Sequence, residues 1–259
     1  MRLAGQQVRA CVLSVKRGNQ SMSGPQASRP RNKLLTILPE DDHRLVKPLL
    51  ELVTLPRDTV LSEAGKPIDF VYFLTDGIGS VFVKTPHGHQ AEAGIFGYEG
   101  YIPTSAVADV SLSTFNVNIQ IEATAYRIAY GAFRNLMREN QNFATVMIRA
   151  IEAFAVQLAY TAVSNAAHDV NERLARWILM CHDRVSGNEL PLTHEFISLM
   201  LSVRRPSVTT SLHVLEGRGF IRSERGLITI RDRAALEDFA RDAYGKPEQE
   251  YKRLMADLF

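Results

Sequence analysis

Residues 192–221 read LTHEFISLMLSVRRPSVTTSLHVLEGRGFI. Thr193 has the hydroxyl that a helix N-cap uses to accept a hydrogen bond from a free backbone N–H, with His194 and Glu195 following it. The apolar run behind it predicts a helix over 193–201. A second helix is predicted from Arg204 to about Glu216, with Val208, Leu212 and Leu215 spaced four and three apart as its buried stripe. That leaves Arg204, Arg205, Ser207, Thr209, Thr210, Ser211 and His213 around the outer face. Pro206 is tolerated in a first helical turn, where the missing N–H has no intrahelical partner.

The chain then runs through Gly217-Arg218-Gly219-Phe220-Ile221-Arg222 and, after Ser223 to Gly226, through Leu227-Ile228-Thr229-Ile230. This predicts a β-hairpin, a wing, with Arg222 and Arg225 near its tip. Between Thr193 and Arg233 there are seven Arg against four acids, a local charge of +3. Arginines and short hydroxyls suit phosphate oxygens and base edges, and an arginine grips a guanine edge with two hydrogen bonds. Helix spacing, wing and charge together predict a winged helix-turn-helix that reads double-stranded DNA. The competing reading of the same fold is a protein-docking module.

Upstream the periodicity changes twice. From Leu52 to Tyr130 short apolar runs are broken by turn residues, giving candidate strands at 70–74, 80–85, 91–96, 114–121 and 123–130. Six of the 16 glycines fall between Gly77 and Gly100, with Asp76-Gly77 and Pro86-His87-Gly88 as hairpin turns. Many short strands with tight glycine turns predict a small β-barrel or sandwich. From Ala132 to Ser186 there is no Gly or Pro, so the chain is free to run helical for many turns. Within 140–167 only Arg149 and Glu152 are charged, and Met147, Ile151, Phe154 and Leu158 repeat at helical spacing. Val146, Ile148 and Val156 lie off that stripe, so the helix is apolar on more than one side and needs two burial partners. The expected partners are its own barrel and a second copy of the chain, making a homodimer.

Composition bounds the alternatives. The chain has 259 residues, 46% hydrophobic and 22% charged, enough for two ordinary domains. Its two cysteines, Cys11 and Cys181, form no C-x-x-C pair, which excludes a disulfide framework, a zinc finger and a cluster held by several cysteines. A reducing, cytoplasmic location is expected. No uncharged apolar run reaches the roughly 18–20 residues of a membrane span, so no membrane association is expected. The net charge of +2 is uneven, because residues 1–33 carry seven Lys or Arg and no acid. That segment lacks periodicity and reads as a disordered basic leader. A phosphate-binding arm, a targeting peptide and a true start at Met22 are the alternatives for it.

The succession of barrel, long helix and winged helix-turn-helix, with the 192–221 stretch, resembles the cyclic-AMP receptor protein/FNR family of bacterial transcription regulators. The resemblance covers about residues 35–240. It implies an α+β fold: a cyclic-nucleotide-binding-like barrel over 34–135, a dimerisation helix over 136–168 and a winged helix-turn-helix over 169–240, then a helical tail over 241–259. By position the resemblance makes Arg205 the guanine reader. Pro206 and Thr210 replace the family's next acidic reader and later Arg, so the base preference should differ. Phosphate contacts carry over to Thr193, Arg204, Ser207 and His213. RNA polymerase is an implied partner.

Nucleotide-binding members use a Gly-Glu-Leu turn and, about ten residues on, an Arg-Ser-Ala segment whose Arg neutralises the cyclic phosphate. Here the turn reads Gly97-Tyr98-Glu99-Gly100 and the second segment Ser111-Leu112-Ser113. Glu99 matches the acidic position, with Gly97 and Gly100 offering backbone N–H groups as a weak anion nest. No Lys or Arg occurs from Thr85 to Ala125. A buried phosphate without a paired cation is expensive, so cyclic AMP is not expected in the usual mode. An unidentified small-molecule effector, or none, is left. Haem and iron–sulfur sensing do not suit Cys11 and Cys181, and no cofactor is expected.

An enzyme reading competes for the barrel. His87-Gly88-His89 with Glu92 and Gly97 is close to a cupin metal motif, but both gaps are shorter than usual, and the next His after His89 is His168. No G-x-S-x-G or phosphate-binding loop lies in a strand-to-helix context. Catalysis and a metal site are not expected; the alternative is a ligand- or metal-binding cupin-like barrel whose helical domain docks protein.

Overall fold

The computed structural model describes residues 31–259. What is expected of the leader, including Met22 and Cys11, lies outside these residues except at its end. There the fold starts earlier than residue 34: Asn32 is fully buried and its amide donates to the carbonyls of Leu74 and Gly100, both at 2.9 Å. The Asn32 Oδ1 accepts from the N–H groups of Leu34 and Leu35 and so caps α1, Lys33–Ile37. A second short helix, α2, spans Glu40–Val46.

Seven strands follow: β1 (Glu51–Leu55), β2 (Val60–Ser62), β3 (Phe70–Leu74), β4 (Ile78–Lys84), β5 (Gln90–Phe96), β6 (Asn116–Ile121) and β7 (Ala123–Ala129). They form two antiparallel sheets, ordered β1-β7-β3 and β2-β6-β4-β5. The expected barrel is thus a pair of facing sheets without a closed hydrogen-bonded ring. Between them lie Leu55, Leu74, Val81, Phe96, Ile102, Val117 and Ile119. The β4–β5 hairpin turns at Gly88, whose φ of +85° suits glycine.

The Gly- and Pro-free run is not one helix but three. α3 spans Tyr130–Glu139, α4 Gln141–Ala167 and α5 Val170–His182. Asn140 breaks the first boundary and caps α4 through its Oδ1, 2.8 Å from the Phe143 N–H. Asp169 opens α5 with a reciprocal capping box to Glu172. α4 has 27 residues and is therefore about 40 Å long. Its inner side packs Phe143, Val146, Met147 and Phe154 on the sheets, and Phe154 stacks on Phe96 with centroids 4.1 Å apart. Gln157 closes this contact, accepting from the Ile95 N–H at 2.8 Å and donating to its carbonyl at 3.2 Å.

The C-terminal half comprises β8 (Glu189–Leu190), α6 (His194–Leu201), α7 (Arg205–Gly217), β9 (Ile221–Glu224), β10 (Leu227–Ile230), α8 (Arg233–Ala240) and α9 (Lys246–Met255). β8, β10 and β9 form a three-stranded sheet. α9 leaves this domain and lies along α4, where Met255 and Leu258 join Leu34, Phe143 and Val146 in one core. Arg149 of α4 pairs with Asp257 and donates to the Leu254 carbonyl. The second side of α4 expected to need a partner is thus covered in part by the chain's own tail.

A stripe of α4 stays open: Ile148, Glu152, Ala155, Ala159, Ala162 and Ala166, alternating four and three residues apart, are all exposed. By length and composition alone α4 is apolar enough to cross a membrane, with a mean hydropathy of 1.4 over its best window. A third of that window is buried within the protein.

Candidate nucleic-acid interface

The helix-turn-helix forms as its residues dictate. The Thr193 hydroxyl accepts from the Phe196 N–H at 3.2 Å and starts α6. Ser202 ends it in the left-handed region, with φ of +50°. Arg204 then caps α7 by its backbone, with Arg205 and Pro206 as the first helical residues. Val208, Leu212 and Leu215 are fully buried, as the four-and-three spacing requires, and they seat α7 on α5 and α6.

This seating exposes Arg204, Arg205, Ser207, Thr210 and His213 together. Ser211 does not join them. It is 3% exposed and faces inward beside Leu212, because it lies three residues after Val208 and four before Leu215, on the same helical face. Thr209 is half-buried; its hydroxyl donates to the Arg205 carbonyl at 3.3 Å and lies 3.1 Å from His194 Nδ1. Thr193 is likewise half-buried, its oxygen committed to the α6 cap. Thr210 donates to the Pro206 carbonyl at 3.1 Å.

Charge is concentrated at two places. Arg204 and Arg205 stand exposed at the N-terminus of α7 and form no ion pair among the described residues. The helix dipole adds positive potential there. The second place is the wing, where β9 and β10 turn at Arg225 and Gly226, the glycine at φ of +78°. Arg225 is exposed and unpaired among the described residues, whereas Arg222 pairs with Glu224 at 2.7 Å. The two wing arginines therefore differ in their surroundings.

The barrel residues expected to meet a ligand are engaged within the protein. Glu99 accepts from Arg184 Nε at 2.7 Å and from the Gly97 N–H at 3.3 Å, while the Gly100 N–H goes to the Gly97 carbonyl at 3.4 Å. The nest at Gly97 is filled by the chain's own carboxylate. The cation missing from 85–125 is supplied by Arg184, just past α5, which also donates to the Met180 carbonyl at 2.7 Å. A β-carbon at Gly97 would meet the Arg184 side chain at 2.6 Å, so only glycine admits this contact. Glu99 and Gly100 do line a cleft of about 440 Å³, walled by α4, Arg184, Tyr244 and α9. Sequence reasoning missed Arg184 because nothing local connects it to the turn 85 residues earlier.

The histidines of the cupin-like motif sit exposed on the β4–β5 hairpin tip. Glu92 is turned inward instead, accepting from the Ser80 hydroxyl and from Trp177 Nε1 at 3.0 Å. Burial pushes its carboxyl up to about 8 against the bonds from Ser80 and Trp177. Among the described residues no three His, Cys, Asp or Glu side chains converge to hold a metal. Cys181 is buried in α5 as a free thiol, its pKa raised by burial.

Comparison with known proteins bears on both halves. Residues 172–239 match a family model described as a Crp-like helix-turn-helix domain. No curated protein matches the chain. Among solved structures, a protein described as a crp/fnr-family transcriptional regulator from Eubacterium rectale superposes with a TM-score of 0.62 at 18% identity, covering 81% of this chain and 98% of its own. A CRP-family transcriptional regulator from Thermus thermophilus gives 0.62 at 18% identity, covering 73% and 96%. FixK2 from Bradyrhizobium japonicum gives 0.61 at 14% identity, also covering 73% and 96%. At these identities the likeness is one of fold, and the α+β architecture of sheets, long helix and winged helix-turn-helix is shared. Residues 172–239 are thus a Crp-like helix-turn-helix domain, carried on a fold shared with solved structures described as Crp/Fnr-family regulators.

Proposed function

We propose that the protein is a sequence-specific transcription regulator that binds double-stranded DNA as a homodimer. The observation that carries this reading is the exposed Arg204–Arg205 pair at the start of α7, without an ion pair among the described residues, on a helix whose opposite face is fully buried. α7 enters the major groove with Arg205 reading a base edge. Arg204, Ser207 and His213, with Thr193, meet phosphates, Thr210 and Thr209 border the groove, and Arg225 and Arg222 meet the flanking backbone. The open α4 stripe supports dimerisation, since its alternating four-and-three spacing is that of a two-stranded helical seam. Ala155, Ala159 and Ala162 let two backbones approach closely, and Ile148 and Val163, more than half exposed, gain a cover. Two copies present two α7 helices to half-sites about one helical turn apart.

The barrel acts as the effector domain without cyclic AMP in the usual mode, since Glu99 is held by Arg184. An effector, where one acts, has the cleft beside Glu99 and Gly100 as its entry. The regulator works in the cytoplasm with RNA polymerase as a further partner, and it is not an enzyme. Selection of random duplex DNA by nucleotide-free protein tests the reading. An enriched two-fold motif supports it, and no enrichment, with or without added cell extract, overturns it.

A further inference from the structure

Where the second sheet, α4 and the DNA-binding domain meet, a cavity of about 20 Å³ is walled by Ser164 of α4, Arg173, Arg176 and Trp177 of α5, and Glu92 of β5. A water needs about 10–15 Å³ of such space, so the cavity suits one water-sized particle. Its chemistry is unbalanced. Arg176 is 6% exposed and donates to Thr161 Oγ1 at 3.1 Å. Arg173 donates to the Leu201 carbonyl at 2.5 Å, and its Nε is buried without a partner. Neither guanidinium lies within ion-pair distance of an Asp or Glu among the described residues.

Glu248 and Glu92 act on Arg176 only at a distance, without a direct ion pair, and Glu92 is otherwise engaged. Its two oxygens are used by Ser80 and Trp177, and burial favours its neutral acid. Arginine cannot shed its proton in a protein, and a buried charge without a counter-charge is costly. The Ser164 hydroxyl, 2% exposed, is also buried without a partner and lines the same cavity. Two guanidinium groups and a free hydroxyl thus surround a space the size of one small particle.

We propose that this junction binds a single small monovalent inorganic anion of chloride size, held by Arg173, Arg176 and Ser164. The ion ties α4 to α5, and so fixes the DNA-binding domain against the long helix. Sulfate and phosphate are too large for the cavity. The site is independent of the DNA-reading assignment.

Trp177 is the chain's single tryptophan; it lines the cavity and is 3% exposed, so its fluorescence reports the site and is shielded from collisions in solvent. Full-length protein is titrated with sodium bromide replacing sodium gluconate at constant ionic strength. Saturable quenching is expected, its midpoint raised at least tenfold in Arg176→Gln and weakened in Ser164→Ala and Arg173→Gln, with no competition from sulfate. Bromide-soaked crystals should show an anomalous peak in the cavity. Ser164→Ala removes only one oxygen and keeps the test open should Arg176→Gln fail to fold. Linear quenching that is equal in wild type and Ser164→Ala, or a cavity holding water alone in the bromide crystals, overturns the proposal.

Discussion

Glu99 and Arg184 stand 85 residues apart in sequence and 2.7 Å apart in space, joining the barrel turn to the end of α5. Both side chains are largely shielded, at 17% and 8% exposure. The carboxylate that the family resemblance assigns to a ligand is satisfied by the protein's own cation. Glu99→Gln leaves the Arg184 charge buried without its partner, which should destabilise the fold by about 3–5 kcal/mol. Urea unfolding at neutral pH checks this. Millimolar cyclic AMP should leave the wild-type melting temperature unchanged, and a rise of several degrees would contradict the assignment of Glu99 to Arg184.

Much of this molecule is legible in the sequence wherever one residue's neighbours determine its role. Val208, Leu212 and Leu215 announce the buried face of α7 by spacing alone, and Thr193 announces the α6 cap by side-chain chemistry. Ser211 obeys the same spacing, three after Val208 and four before Leu215, and only its hydroxyl chemistry points to the outer face. Asn140 and Asp169 are readable as caps, yet the absence of Gly and Pro around them outweighs the signal. Glu99–Arg184, Glu92–Trp177 and the return of α9 to α4 depend on long-range packing, which local periodicity does not encode.

Arg205 is the side chain on which base reading rests. Arg205→Ala should cost about 1–3 kcal/mol in binding to the selected site and relax preference at one base pair in each half-site. Competition binding against a panel of single-base variants measures both effects. Equal affinity and an unaltered preference would remove α7 from the groove.

The wing arginines should behave unequally. Arg225 is free to meet a phosphate, while Arg222 must first give up Glu224 at 2.7 Å. Arg225→Ala should weaken binding to all sequences alike and lower the slope of log affinity against log salt by about 1. Arg222→Ala should change that slope less, because its charge is already offset within the hairpin. A larger slope change for Arg222 would place the wing differently on the duplex.

The tail contributes to stability through α4. Met255 is 9% exposed within the core that holds Leu34, Phe143 and Val146. Met255→Ala should lower stability by about 2–5 kcal/mol through lost burial and the cavity left behind. Chemical denaturation of the full chain measures it. A change below about half a kcal/mol, the size of an ordinary surface substitution, would mean that α9 is not seated on α4 in solution.

Glu92 gives the fold a pH dependence whose sign follows from its surroundings. Burial raises its carboxyl from the ordinary 4.5 to about 8, opposed by hydrogen bonds from Ser80 and Trp177 and by the charges of Arg176 and Arg184. The other groups at the junction, Arg173 on α5 and Ser164 on α4, do not titrate in this range. Between pH 4.5 and about 8 the folded chain keeps the proton that the unfolded chain releases. Stability conferred by the protonated acid is therefore complete below 4.5, declines as pH rises through that window, and levels off above about 8. Glu92→Gln keeps the shape and a hydrogen-bonding side chain but cannot ionise. Its stability, measured by denaturant unfolding from about pH 5 to 9, should fall less steeply than that of the wild type, with the difference growing in the variant's favour up to about pH 8. Parallel profiles would show that Glu92 is ionised in the folded protein and that its charge is balanced at the junction.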